Sequence, residues 1–585
     1  MTIDFLTGAV RETAHRGNDD LLTAGLDLAG LRAAPVAFAD PASPIAQELR
    51  QRAIQASWKG IADLGPLGAY GELYGSVARV PGREFHAFAK VPSAQAPHRV
   101  LAQVPDAFDA NARCLIVTAS SGSRGIYGAI ALAGAWGLPR GCAVAYTDKG
   151  AGSGYFDGAS ATGVRLDGTR GTLGEEQLEF AAKGARADDG IAIKHAHSGD
   201  NPEADWGRHV LQAAQFGLAM LDRALPQHAP FTPGNTRIIA VGLSNAGGAV
   251  LQAAGLDQGV LGGVVALAPN VNVPAVATGR TLYDYSTEAA LLMPCALGDA
   301  RFGTVPFART QGKVLPAWSA RCAHLHACGL VAGKDASAQA ASALERLHAG
   351  GWSDSVLATA ASSSAFDLWR AVAATYASAY ARAKAGEMPC GFEFQAHDAA
   401  GNARAPTASE RAAWWADASG IPPGAGVFLD EAVPGDADDP ALRGLLCLRE
   451  LRQAKSAQGD ILRASIAATA AELPRNDLPL WVIHGRDDGL LPIAFNSEAY
   501  VAWLRVNGRD PVYWPIAHAQ HFDAFLALPG FGDRYVPLLP YGYAALDRMW
   551  RHLVKGEPLD PGDTPLASPR GAGRLEAGHL GIAPR

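Results

Sequence analysis

Basic residues are few and dispersed. Fifty Lys and Arg against 57 Asp and Glu give a net charge of −7, and no long run of either sign occurs. Phosphate binding needs clustered Lys and Arg, so this composition argues against nucleic acid as the main partner. Charged residues make up only 18% of the chain against 48% apolar ones, which provides for a large core and fits a substrate of little charge. No stretch reaches the roughly 18 uninterrupted apolar residues of a membrane-spanning helix. Leu21 to Phe38 is rich in apolar residues, but Asp27 and Arg32 interrupt it. The opening residues, MTIDFLTGAVRETAHRGNDD, lack a basic segment followed by an apolar one and do not read as a signal peptide. The expectation is a cytoplasmic protein as the chain stands, or a secreted or periplasmic one if a signal has been removed. Cysteine is sparse: Cys114, Cys142, Cys295, Cys322, Cys328, Cys390 and Cys447 are odd in number, and none has zinc-site spacing. Cys114 and Cys142 open apolar runs and read as small buried hydrophobes. One or two disulfides are allowed; a dense disulfide framework is not indicated. Internal repeats and low-complexity tracts are also lacking.

What is present is an alternation of short apolar runs with helical patterns. Strands are expected at Arg83–Val91, Arg113–Ala119, Ala143–Thr147, Thr236–Leu243, Val264–Ala268, Leu480–His484 and Pro511–Ile516. Most are apolar throughout, as in a parallel sheet covered on both faces. Helices are expected at Trp206–Leu225 and directly after Ser244. This is the pattern of an α/β doubly wound sheet. No clear sheet strand occurs between Ala268 and Leu480, a gap far longer than the roughly 12–15 residues beyond which structureless loops are uncommon. Helical patterns at Ala336–Ala349, Ser364–Ala385, Thr407–Ala418 and Leu442–Ala470 make that gap a mainly helical cap inserted between core strands. The expected divisions are an N-terminal extension packed on the core (1–80), the first part of the core (81–272), the cap (273–476), the second part of the core (477–556) and a Pro/Gly-rich tail (557–585).

One segment carries most of the chemistry. In TRIIAVGLSNAGGAVLQAAG an apolar strand runs into Gly242-Leu243-Ser244-Asn245-Ala246 and then straight into a helix. A serine on such a tight turn needs small residues two positions to either side, which makes Ser244 the expected nucleophile of a nucleophile elbow. Ala246 stands where the usual G-x-S-x-G has its second Gly. The turn also aims the Asn245 N–H at an oxyanion site. An inert serine at a strand-to-helix turn is the bland alternative.

The partners of a serine nucleophile follow in order. LWVIHGRDDGLLP ends a strand with two acids; Asp488 is placed first as the triad acid, and Asp487 second. PVYWPIAHAQHFDAF ends another strand with two histidines; His521 is placed first as the general base, and His518 second. The second oxyanion donor is expected in the Ser-Ser-Gly-Ser-Arg-Gly loop after the Arg113 strand, at Ser121, Gly122 or Ser123. That loop lacks the Lys of a phosphate-binding loop. His195 and His197, with Asp200, Glu203 or Asp205 nearby, raise the thought of a metal, but helix capping explains the carboxylates as well. No metal or cofactor is expected. Trp352, Trp369, Trp414 and Trp415 of the cap are candidates to line an apolar cleft, with ordinary core packing as the alternative.

Taken together, DDLLTAGL, SSGSRGIYGAI, AYTDKGAGSGYFD, KHAHSGDNPEADWG, GLSNAGGAVLQAAG and AQHFDAFL resemble the bacterial D-3-hydroxybutyrate oligomer hydrolases. The resemblance spans most of the chain. It implies an α/β-hydrolase that cleaves short 3-hydroxybutyrate oligomers to monomers, places the nucleophile at Ser244 and favours His521 over His518. This sequence departs from the family at Ala246, where Gly is expected, and in showing no export signal. Two other readings are an esterase of the same fold for aromatic or synthetic esters, and a non-catalytic binding protein on that fold. The expected partner is a small ester oligomer, with oligomeric state open.

Overall fold

The apolar runs pair into one nine-stranded sheet. In the computed structural model, which describes residues 3–182, 190–417, 426–433, 435–559 and 564–582, its strands are β1 (Arg11–His15), β2 (Gly82–Ala89), β3 (His98–Pro105), β4 (Cys114–Ala119), β5 (Ala143–Asp148), β6 (Arg237–Leu243), β7 (Gly263–Leu267), β8 (Leu480–Gly485) and β9 (Val512–Ile516). Their lateral order is β1-β2-β3-β5-β4-β6-β7-β8-β9. From β5 to β9 all neighbours are parallel. On the other side β1, β2 and β3 form an antiparallel edge, so the sheet is mixed rather than wholly parallel.

Strand residues alternate between two faces, and both faces are buried, which is why the runs read as apolar throughout. One face carries Ile116, Val144, Ile239, Val241, Val265 and Ile483. It packs against Ile54 and Trp58 of α1 (Ala46–Ile61) and against Leu546 and Met549 of the last long helix (Leu539–Lys555). The other face carries Leu115, Val117, Ala240, Val264 and Val482. It is covered by α2 (Trp206–Ala224) and α3 (Asn245–Leu256), through Val210, Leu218, Ala249 and Val250. The first eighty residues are therefore part of one layer: Trp58 Nε1 donates to the Leu22 carbonyl at 3.0 Å, and the hydroxyls of Tyr70 and Tyr543 meet at 2.7 Å. Leu575 and Leu580 of the C-terminal tail are buried in the same layer.

The chain leaves the sheet after β7 and returns at β8. Between them lie α4 (Leu282–Ala296), α5 (Pro316–Ala327), α6 (Ala336–Ala349), α7 (Asp354–Ala365), α8 (Leu368–Tyr380), α9 (Leu442–Leu451) and α10 (Ala457–Ala467). They share a core of their own that includes Tyr283, Leu292, Trp352, Leu357, Trp369 and Leu448. This insertion is not purely helical. Phe392–His397, Ala403–Arg404 and Val427–Glu431 form a three-stranded antiparallel sheet. A second small sheet, built from three-residue strands between Tyr155 and Ile193, lies beside the core.

Three disulfides are present, more than the cysteine count suggested: Cys114–Cys142, Cys295–Cys322 and Cys390–Cys447. Cys114 and Cys142 are buried, as expected, but they are bonded. The β4–β5 register sets Leu115 opposite Ala143, so the two preceding cysteines lie side by side with Cα atoms 4.6 Å apart. Cys328 is exposed and unbonded. Alkylation of the denatured, unreduced protein is expected to modify one thiol per chain, and seven after reduction; mass spectrometry counts them. Removing the 28-residue Cys114–Cys142 link with a double Ala substitution is expected to cost about 3–4 kcal/mol in urea unfolding, on the chain-entropy account.

Candidate active site

The order of the parallel strands reverses between β4 and β6, which are neighbours although β5 lies between them in sequence. A crevice forms there beyond the carboxyl ends of the strands, the usual ligand position in such sheets. Gly122 and Ser123 reach it from the end of β4, and Ser244 from the end of β6. Ser244 has φ 66° and ψ −129°, a left-handed backbone that a residue with a side chain adopts only under strain. That conformation lets β6 turn into α3 within one residue. Gly242 makes it possible: a Cβ there would lie 2.2 Å from the Ala246 carbonyl oxygen. Ala246 itself has room, since its methyl packs into the apolar layer under α3. The Ala-for-Gly departure therefore falls at the one of the two flanking positions where a side chain fits.

Ser244, His521 and Asp488 form one hydrogen-bonded array. His521 Nε2 lies 2.8 Å from Ser244 Oγ, and His521 Nδ1 lies 2.6 Å from Asp488 Oδ2. With Nδ1–H donated to the carboxylate, Nε2 is free to accept the serine proton. The other Asp488 oxygen accepts the N–H groups of Leu490 and Leu491 at 2.9 and 2.7 Å. Burial alone would raise the Asp488 pKa, but the charge of His521 and the bonds from His484 and His521 outweigh it and hold the acid well below the usual carboxylate range. His484, at the end of β8, was not foreseen. Its Nε2–H faces Asp488 Oδ2 at 3.1 Å and the Leu491 carbonyl at 2.9 Å, and its Nδ1 accepts from Ser497 Oγ at 2.7 Å. It braces the acid at the same oxygen that His521 contacts.

The alternatives sit elsewhere. His518 is exposed at a left-handed turn with φ 55°. Asp487 is half-buried beside it, with its pKa raised by burial.

A cavity of about 210 Å³ opens over Ser244. Gly122, Ser123 and Asn245 line it; Ser121 is buried and is not among its lining residues. Its apolar wall comes from both bodies: Leu282, Leu368 and Val372 from the insertion, and Leu491, Phe522 and Phe525 from the core. None of the four cap tryptophans reaches it. Trp352, Trp369, Trp414 and Trp415 are each at most 4% exposed and pack within the cores.

The histidine-rich segment also has a structural role. His195 Nε2 bonds Glu203 Oε1 at 2.7 Å, and Lys149 forms an ion pair with the same carboxylate. His197 Nδ1 lies 2.9 Å from the Ile193 N–H, Asp200 accepts the N–H groups of Gln95 and Ala96, and Asp205 pairs with Arg208. Among the described residues, no group of three or more His, Cys, Asp or Glu is placed to hold a metal ion.

Sheet order, elbow and hydrogen-bonded array define the α/β-hydrolase fold. The 3HB-oligomer hydrolase family model matches residues 3–583. The chain belongs to that family. Relatives named D-(-)-3-hydroxybutyrate oligomer hydrolase in Cupriavidus metallidurans and Burkholderia vietnamiensis are each 38% identical over 97% of this chain, covering 87% and 89% of their own lengths. Among solved structures, feruloyl esterase B from Aspergillus oryzae is similar at 11% identity with a TM-score of 0.38, over 86% of this chain and 85% of that one.

Asp488→Asn is expected to lower kcat by about 10⁴-fold with little change in fold, because an amide facing His521 Nδ1 favours the wrong tautomer. Ester turnover and a thermal melt on the same sample check it. A second expectation concerns acid stability. Burial opposes the Glu203 carboxylate, but Lys149 and His195 hold its pKa at about 2, below the ordinary 4.5. A lowered pKa adds stability that is full above pH 4.5 and is lost as pH falls through about 2. Urea midpoints between pH 7 and 2 are expected to fall less steeply over that window in Glu203→Gln than in the wild type.

Proposed function

We propose that this protein hydrolyses the ester bonds of short 3-hydroxybutyrate oligomers to release monomers, with Ser244 as nucleophile, His521 as general base and Asp488 as the acid that orients it. One observation carries the chemistry: Ser244 Oγ lies 2.8 Å from His521 Nε2 on the floor of a largely apolar cavity. Family membership supports the substrate class.

The steps follow from the geometry. His521 Nε2 takes the Ser244 proton as Oγ attacks the ester carbonyl. The carbonyl oxygen becomes an oxyanion, which the Asn245 N–H and an N–H of Gly122 or Ser123 receive. The adduct collapses, and His521 returns the proton to the departing alkoxide, the hydroxyl end of the next unit. Water, deprotonated by His521, then attacks the acyl-enzyme; the acyl–Oγ bond breaks, His521 returns the proton to Ser244 Oγ, and the acid leaves as its carboxylate. The apolar wall suits the methyl-bearing aliphatic units of such an oligomer.

The three disulfides support folding in an oxidising compartment, secreted or periplasmic. No described helix is long and apolar enough to cross a membrane.

Ser244→Ala is expected to reduce monomer release from the hydroxybutyrate trimer by more than about 10³-fold. Near-normal release would overturn the assignment. A panel of trimer, p-nitrophenyl butyrate and an aromatic diester separates this substrate class from other esters. A fluorophosphonate that fails to label Ser244 would return the chain to a binding role.

A further inference from the structure

Behind the elbow lies a charged group that the reaction above does not use. Lys149 directly follows β5, and its side chain is fully enclosed. A buried ammonium is costly unless it is paired and hydrogen-bonded. Lys149 has three donors and spends them on three partners from three distant segments: a Glu203 carboxylate oxygen, the side-chain oxygen of Asn245, and at 3.5 Å the Tyr376 hydroxyl. The second Glu203 oxygen accepts Asn245 Nδ2–H at 3.0 Å. Both ends of the Asn245 amide are therefore held, and Asn245 is the residue whose backbone N–H follows the nucleophile.

The third partner belongs to the insertion. Tyr376 sits on α8 and lines the same cavity as Ser244. Its hydroxyl lies over the β4 loop, since a Cβ on Gly122 would come within 2.8 Å of it and 3.5 Å from Asn245 Cβ. Gly122, Asn245 and the Tyr376 hydroxyl thus converge on one corner of the cavity. An ammonium can only donate, so the phenol oxygen accepts from Lys149 and keeps its own proton for another acceptor. Burial, with the charge of Glu203, keeps that phenol protonated.

We propose that the Tyr376 hydroxyl is a catalytic hydrogen-bond donor to the ester oxygen that turns negative on attack, alongside the backbone N–H groups, and that Lys149 and Glu203 are positioning residues that aim it and lock Asn245. No proton is transferred: the phenol O–H bond stays intact while its hydrogen bond strengthens. A fixed donor in a site shielded from water acts where charge develops, so it lowers the barrier more than it tightens substrate binding. The insertion then supplies part of the reaction centre as well as a wall. The proposal rests on Ser244 being the nucleophile.

The test is Tyr376→Phe, which removes one oxygen atom and keeps the ring. Turnover of hydroxybutyrate trimer and of p-nitrophenyl butyrate is measured with inhibition by an alkylboronic acid, which forms a tetrahedral anion on the serine, and by 3-hydroxybutyrate, the product. The expected result is a kcat lower by about 10²-fold with KM within about threefold. Boronate affinity falls in step with kcat/KM, and product affinity holds. A kcat within twofold of wild type, or a loss carried by KM alone, would overturn the donor role. The positioning role predicts that adding Tyr376→Phe to Lys149→Met costs no further activity, whereas multiplying effects would refute it. If Lys149→Met does not fold, Lys149→Arg takes its place, since a planar guanidinium cannot serve three partners from one point. A wild-type enzyme that cleaves the p-nitrophenyl ester but not the trimer would sink the substrate reading alone and leave the Tyr376 comparison standing. If Ser244 reacts with neither ester nor a fluorophosphonate, both readings fail.

Discussion

Everything at the reaction centre depends on one backbone conformation, the left-handed turn at Ser244. It is unfavourable locally and persists because the surroundings leave no alternative. The strand before it is locked between β4 and β7, and the helix after it is packed on the sheet. Contacts over Gly242 and Gly248 are too close for any side chain: added Cβ atoms would meet the Ala246 and Asn270 carbonyl oxygens at 2.2 and 1.9 Å. The sheet thus holds the Ser244 hydroxyl outward, and Asp488 and His521 need only arrive at the neighbouring strand ends.

They do so in a rigid manner. Asp488 follows β8 and His521 follows β9, strands paired to each other and, through β7, to the strand that bears the elbow. Asp488 is bonded on both oxygens, by two backbone N–H groups on one and by two imidazoles on the other. An acid held this firmly leaves His521 little freedom to rotate. Such pre-organisation removes the reorganisation that a flexible site would need at the moment of reaction.

The parts of this architecture that were legible in the sequence are those with a one-dimensional signature. β4, β6, β7 and β8 are short apolar runs because both sheet faces are covered, and each chemical residue follows one such run or that of β9. β3 was missed because His98, Arg99 and Gln103 interrupt it. These are buried polar residues satisfied by Gln212, Glu179 and Glu84, partners far along the chain. The Phe392–His397 strand alternates apolar and polar residues, a readable period-two signal, but it lies between the Ala-rich helical patterns at Ser364–Ala385 and Thr407–Ala418 that make the gap read as mainly helical. Tyr376 stands in no motif, and Lys149 and His484 lie inside AYTDKGAGSGYFD and LWVIHGRDDGLLP without anything there that marks their contacts. Their roles arise from side chains that meet only after the insertion has folded onto the sheet. Asp488 and His521 stand apart from their neighbours Asp487 and His518 through burial, which local sequence does not encode.

The disulfides divide the molecule in an instructive way. Cys114–Cys142 lies wholly within the sheet body, and Cys295–Cys322 and Cys390–Cys447 lie wholly within the insertion. No covalent tie crosses from one to the other except the two strands of backbone after β7 and before β8. Oxidation therefore stiffens each half as a separate block and leaves the seam between them, where the cavity opens, to noncovalent contacts such as Lys149 with Tyr376 and Ser378 Oγ with the Ala196 carbonyl. The durability of each block and the closure of the cavity over Ser244 are thus governed by different bonds.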